Sequence, residues 1–186
     1  MTKTQLKKLT SSTGIGIILG SLMGYGGYEF LHPQWQASHF EQARLQVCFT
    51  PGQDCTTLVV EAIKKAQRLV QVQAYSFTSL PIADALIAAK ARGVRVEVLM
   101  DKGQLKEPYS QLRHLKEAGI PVAFDTVSGL AHNKVMILDN RYVLTGSFNW
   151  TKAAQTRNAE NILFIDDPEM AALYAKNWDE RFQHSH

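Results

Sequence analysis

Residues 134–138 (KVMIL) and 142–145 (YVLT) are two strand-prone runs separated only by Asp139, Asn140 and Arg141. A connector this short closes an antiparallel hairpin, because a parallel return needs a crossover of a dozen or more residues. The chain before the hairpin has a different rhythm. Strand-like runs at 45–50, 69–75, 94–100 and 121–124 alternate with helical stretches at 57–67, from Thr78 or Ser79 to Gly93, and at 108–118, the pattern of parallel strands joined by helices. In the second helix Pro81 suits the first turn, and Ala85, Leu86 and Ala89 supply the buried stripe. A strand at 161–165 and a closing helix at 168–182, with Met170, Leu173, Tyr174 and Trp178 as its apolar residues, complete the chain. Both patterns in one chain predict an α/β fold: a mixed β-sheet flanked by helices.

With 186 residues, 45% hydrophobic and 20% charged, the sequence suits one globular domain with an extension. The expected division is an N-terminal hydrophobic segment at 1–32, a polar connector at 33–44 and the domain at 45–186. The net charge of +3 is mostly N-terminal: three of the 20 Lys and Arg (Lys3, Lys7, Lys8) and one of the 17 Asp and Glu (Glu29) precede Pro33. The domain is therefore near neutral, and lacks the overall basic excess of a general nucleic-acid binder. Any positive field has to be local.

Between Lys8 and Glu29 every residue is uncharged, ending in GIGIILGSLMGYGGY. Behind a lysine-bearing leader this reads as a secretory signal or a membrane anchor. Gln36-Ala37-Ser38 is a poor cleavage site, which inclines the reading to an anchor. Gly16, Gly20 and Gly24 form a ridge four residues apart, a spacing that lets two membrane helices approach, though glycines are also simply common here. In a bacterial inner membrane the leading lysines would stay inside and place the domain outside the cytoplasm. The expectation is a cell-envelope protein, periplasmic or inner-membrane anchored. Cys48 and Cys55 flank the Pro51-Gly52 turn. In an oxidising compartment they could close a small loop as a disulfide, and otherwise they are two buried thiols.

The chemistry is concentrated at 131–165. His132, Lys134, Asp139, Gly146, Ser147 and Asn149 stand in the pattern H-x-K-x4-D-x6-G-S-x-N. His132 and Lys134, at i and i+2 at the start of a strand, share a face, so a nucleophilic imidazole sits beside a cation. Ser147 and Asn149, at i and i+2 after the paired strand, can donate hydrogen bonds to the same point. A nucleophile, a positive charge and neutral donors around one point suit the non-bridging oxygens of a phosphodiester. Asp139 belongs to the hairpin connector and reads as a turn stabiliser, and Gly146 as a place of close backbone approach. No cluster of acidic residues accompanies them, so neither a metal nor another cofactor is expected. Lys152 and Arg157 read as solvated charges, and Trp150 either as a base-stacking surface or as core.

The pattern resembles the HKD motif of the phospholipase D superfamily. Gln73 to Thr78 (QAYSFT) and Gly146 to Asn149 are similar to its small bacterial endonucleases, and Val47-Cys48-Phe49, Cys55 and Gly146 to Trp150 to its mitochondrial cardiolipin hydrolase-like members. The resemblance implies metal-independent hydrolysis through a phosphohistidine on His132, with phosphate bound by Lys134, Ser147 and Asn149. It also implies a glutamate, here Glu160, hydrogen-bonded to the catalytic histidine. Only one full motif is present: of His32, His39, His114, His184 and His186 only His114 has a lysine two residues on, Lys116, and the rest of the pattern is missing there, with Pro121 where the aspartate would stand. The second histidine is thus expected from another copy, in a homodimer with its site on the two-fold axis. The expected substrate is DNA or RNA, the alternative is a membrane phospholipid, and a non-catalytic tether is the least favoured reading.

Overall fold

The computed structural model describes residues 44–185. The N-terminal segment, its glycine ridge and all of the connector but Arg44 lie outside the described residues. Among the described residues no helix is long and apolar enough to cross a membrane.

The elements follow in the order β1 (Arg44–Thr50), α1 (Cys55–Lys65), β2 (Leu69–Ala74), α2 (Leu80–Ala91), β3 (Arg95–Met100), a 3-10 turn (Lys102–Leu105), α3 (Leu112–Glu117), β4 (Val122–Phe124), β5 (Lys134–Leu138), β6 (Tyr142–Gly146), α4 (Lys152–Thr156), β7 (Glu160–Asp166) and α5 (Pro168–Gln183). They form one seven-stranded sheet in the order β1-β7-β6-β5-β2-β3-β4. Pairs β2/β3 and β3/β4 are parallel, and β2/β5, β5/β6, β6/β7 and β1/β7 are antiparallel. A mixed sheet, as inferred from the two sequence rhythms, is observed, with the switch from parallel to antiparallel pairing at β2/β5; β1, although it belongs to the first rhythm, pairs antiparallel with β7 at the far edge.

Central β2 is buried along its whole length, because helices cover both faces. On one face Val59 and Ile63 of α1, Ile82, Leu86 and Ala89 of α2 and Leu115 of α3 pack on Val70, Val72, Met136 and Leu144. On the other, Ala171 and Trp178 of α5 pack on Leu99, Val135, Ile137, Val143 and Ile165. Capped at its start by Asp167, α5 extends to Arg181, whose guanidinium grips Asp125 beyond β4 through two bonds of 2.6 Å. It leaves one corner of the second face open. Leu45 and Val47 of β1 lie opposite Ile165 and Leu163 and so share that face, yet with Phe49 they remain about half exposed.

Several boundaries differ from the sequence expectation for local reasons. Helix α1 starts at Cys55, two residues early, because Asp54 caps it by accepting from the Thr57 amide at 3.0 Å and hydroxyl at 2.6 Å. It also ends early, where Ala66 turns extended. Helix α3 is shorter than 108–118, since the Gln111 amide is drawn to the Phe77 carbonyl and helix geometry begins only at Leu112. Helix α4 was not anticipated; it is five residues long, with Thr151 as its cap. Cys48 and Cys55 are joined by a disulfide that ties β1 to the first residue of α1.

Candidate active site

All the motif residues except Asp139 gather at one end of the sheet. His132 lies just before β5 and Lys134 is its first residue; Gly146 ends β6, Ser147 and Asn149 follow, and Glu160 opens β7. The loop before β5 is held from two sides. The Ala131 amide donates to buried Asp101 at 2.8 Å, and the Asn133 side chain donates to Gln73 at 3.1 Å. The Tyr75 amide donates to the Asn133 carbonyl at 3.1 Å and so extends the β2/β5 pairing past its last ladder residue.

His132 is exposed, whereas Lys134 is only 6% exposed. The Lys134 Nζ lies 2.9 Å from His132 Nδ1 and donates to the His132 carbonyl at 2.6 Å. It also sits 4.8 Å from the centre of the Tyr75 ring. Burial pushes the Lys134 ammonium below the usual lysine value, and the negative charge of Glu160 acts against that shift. The site thus holds a partly desolvated cation, which interacts with a phosphate more strongly than a fully hydrated one.

Ser147 is fixed through its backbone and presents its hydroxyl. Its amide donates to the Asn161 side chain at 3.0 Å and to the Asn161 carbonyl at 3.1 Å, while its Oγ accepts from the Asn161 amide at 3.0 Å. A hydroxyl oxygen that already accepts keeps its proton to donate. Asn149 is half-buried, and its Oδ1 has no hydrogen-bond partner among the described residues. Gly146 is required by contact: a Cβ there would collide with the Asn161 carbonyl of β7. Glu160 is placed differently from the expectation. Its carboxylate accepts from Asn158 Nδ2 at 2.9 Å, not from His132, and its charge acts on Lys134.

Asp139 lies away from this end, in the hairpin turn, as its turn reading anticipated. Asp139 and Asn140 have φ of 56° and 55°, and the Arg141 amide donates to the Leu138 carbonyl at 3.0 Å, the signature of a type I′ turn. The Asp139 carboxylate accepts from the amides of Gln67 at 2.9 Å, Arg68 at 2.7 Å and Leu69 at 3.0 Å. Trp150 is core: it is fully buried and donates to the Gln73 carbonyl at 3.0 Å. Lys152 and Arg157 are exposed. Sequence reasoning missed Tyr75, Asp101, Asn133 and Asn161 as site residues. Tyr75 and Asp101 each stand directly after a central strand, where such folds build sites, and Tyr75 also lies within the Gln73 to Thr78 run that is similar to the bacterial endonucleases. Among the described residues no three His, Cys, Asp or Glu side chains converge as a metal site.

Residues 59–182 match the family model described as cardiolipin synthase, PLD-like domain. A protein named phospholipase D from Rickettsia typhi is 43% identical over 157 residues, covering 82% of this chain and 77% of that protein. A mitochondrial cardiolipin hydrolase from Xenopus laevis is 38% identical over 118 residues, covering 63% of this chain and 56% of that protein. Among solved structures, Nuc from Salmonella typhimurium, described as a phospholipase D family member, superposes with a TM-score of 0.74 at 36% identity, covering 78% of this chain and 97% of Nuc. The mixed sheet carries the histidine and lysine of the HKD pattern at one end, beside Ser147, and the aspartate in the hairpin turn at the other. The chain belongs to the phospholipase D superfamily, and it is a phosphodiesterase of that family.

Proposed function

We propose that this protein hydrolyses nucleic-acid phosphodiesters through a covalent phosphohistidine on His132, as a homodimer. The observation that carries the reading is the exposed imidazole of His132 beside the buried ammonium of Lys134. With Nδ1 held by Lys134, Nε2 is the nitrogen left to attack, and it must carry the lone pair at that moment. The ring proton then has to reside on Nδ1, so Lys134 must release that atom. A non-bridging phosphate oxygen that takes the ammonium achieves this, which couples substrate binding to activation of the nucleophile.

Attack forms the Nε2–P bond and breaks the P–O bond to the leaving strand, whose oxygen takes a proton from His132 of the partner subunit. Water then attacks phosphorus, breaks the N–P bond and gives its proton back to that same histidine. Lys134 and the Ser147 hydroxyl stabilise the charge on the equatorial oxygens. An open site with an exposed nucleophile suits a polymer backbone lying across it.

A phospholipid substrate is the second reading. The names of the relatives favour it, and so does the exposed apolar corner of Leu45, Val47 and Phe49, which would meet a membrane if the N-terminal segment anchors the protein in the cell envelope.

The deciding assay compares single-stranded DNA, duplex DNA, RNA and phospholipid vesicles as substrates of the full chain in EDTA, with His132→Ala as control. Cleavage of nucleic acid, lost in the variant, supports the proposal; hydrolysis of lipid alone makes the second reading correct. Titrating active protein with His132→Ala should lower activity more steeply than dilution does, because each mixed dimer lacks one histidine. A purely proportional decrease would remove the shared site.

A further inference from the structure

We propose that Tyr75 is a positioning residue of this site, its ring forming the wall against which the His132 imidazole and the Lys134 ammonium are both set. The proposal rests on His132 being the reactive group. No residue of β2 or its end belongs to the HKD pattern, yet Tyr75 touches both of the pattern's leading members. Its ring centre is 4.3 Å from that of His132, with the planes tilted by 50°, and 4.8 Å from Lys134 Nζ.

These contacts answer two physical needs. Lys134 has lost most of its water, and an aromatic face returns part of the lost solvation to a cation without competing for the hydrogen bonds a phosphate must use. His132 is exposed, so the bond to Lys134 alone leaves its ring free to leave the attack orientation once phosphate draws the lysine away. The Tyr75 ring keeps a wall there at that moment. The wall is itself anchored, because the Tyr75 amide donates to the Asn133 carbonyl, next to His132 in the same loop. The ring, and not the phenol hydroxyl, carries the function.

The test uses the full chain with Tyr75→Phe and Tyr75→Leu, bis(p-nitrophenyl) phosphate as the turnover probe, and an NMR titration of the histidine rings without substrate. The His132 signals are assigned by their loss in His132→Gln. Tyr75→Phe should stay within about threefold of the parent in kcat, whereas Tyr75→Leu should lose about 100-fold in kcat with little change in KM. The His132 titration should move in Tyr75→Leu and not in Tyr75→Phe. If Tyr75→Leu melts below the assay temperature, Tyr75→Met is judged by the same criteria. A folded Leu or Met variant with parental kcat and an unmoved His132 titration overturns the proposal, as does a Phe variant as impaired as Leu. If the parent leaves the probe intact, the failure belongs to the proposed reaction at His132 and not to Tyr75, and the NMR arm still decides whether Tyr75 sets His132.

Discussion

Lys134 Nζ bridges the Nδ1 and the carbonyl oxygen of His132, at 2.9 and 2.6 Å, so the cation proposed to meet the phosphate is held by the same residue that is proposed as the nucleophile. Burial disfavours the ammonium. With its folded value lowered, Lys134 costs stability at all pH below that value, and the cost is relieved only as pH rises through it toward the unfolded value. Lys134→Met should therefore melt no lower than the parent, while kcat falls by about 10²–10³. Calorimetry and steady-state kinetics on one preparation check this, and a large drop in melting temperature would contradict it.

Asp139 should behave oppositely. Burial would raise its carboxyl, but the amides of Gln67, Leu69 and Arg68 and the Arg68 charge outweigh it and hold the group below the usual carboxylate range. Its stabilisation is complete above the unfolded value of about 3.9 and is lost as pH falls through the lower folded value. Asp139→Ala should cost about 1–3 kcal/mol at neutral pH in urea unfolding, with turnover per folded molecule near the parent's. The gap between variant and parent should close in acid. A gap that persisted well below pH 3 would be inconsistent with the carboxylate as its source.

Gly146→Ala forces a methyl group onto the Asn161 carbonyl. Because Ser147 takes its position from Asn161, the β6/β7 pairing cannot give way without moving the Ser147 hydroxyl. Activity should fall by about 10²-fold, the cost of roughly 1 Å of misplacement. Full activity with unaltered stability would show that the two strands separate freely.

Reducing the Cys48–Cys55 bond frees β1 from the start of α1. A loss of about 2 kcal/mol is expected, at the low end for a loop this short, and should appear as a lower melting temperature with dithiothreitol. Cys48→Ser/Cys55→Ser should melt where the reduced parent does. Identical melts with and without reductant would mean the bond contributes nothing.

The class of fold was legible because its main causes are local: the three-residue connector dictated an antiparallel pair, and the helix-linked runs that became β2, β3 and β4 dictated parallel ones, whereas the antiparallel docking of β1 on β7 has no local signal. His132, Lys134, Ser147 and Asn149 stand at one sheet end because the hairpin lays the start of β5 beside the end of β6, a pairing the three-residue connector carried in the sequence. What could not be read came from choices among competing partners, some of them local and others distant in sequence. Asp54 moved the start of α1, Gln111 was drawn to Phe77, and Glu160 turned to Asn158. Tyr75 escaped because its role depends on β2 lying beside β5, which spacing within the motif does not encode.

Asp139 stitches the end of β5 to the residues that enter β2, and so it serves the architecture and never the substrate. A descendant of this chain that had lost its chemistry would still need the aspartate to fold, while nothing would preserve its histidine and lysine. Pseudoenzymes of this lineage should therefore keep the third letter of the HKD signature after the first two have drifted.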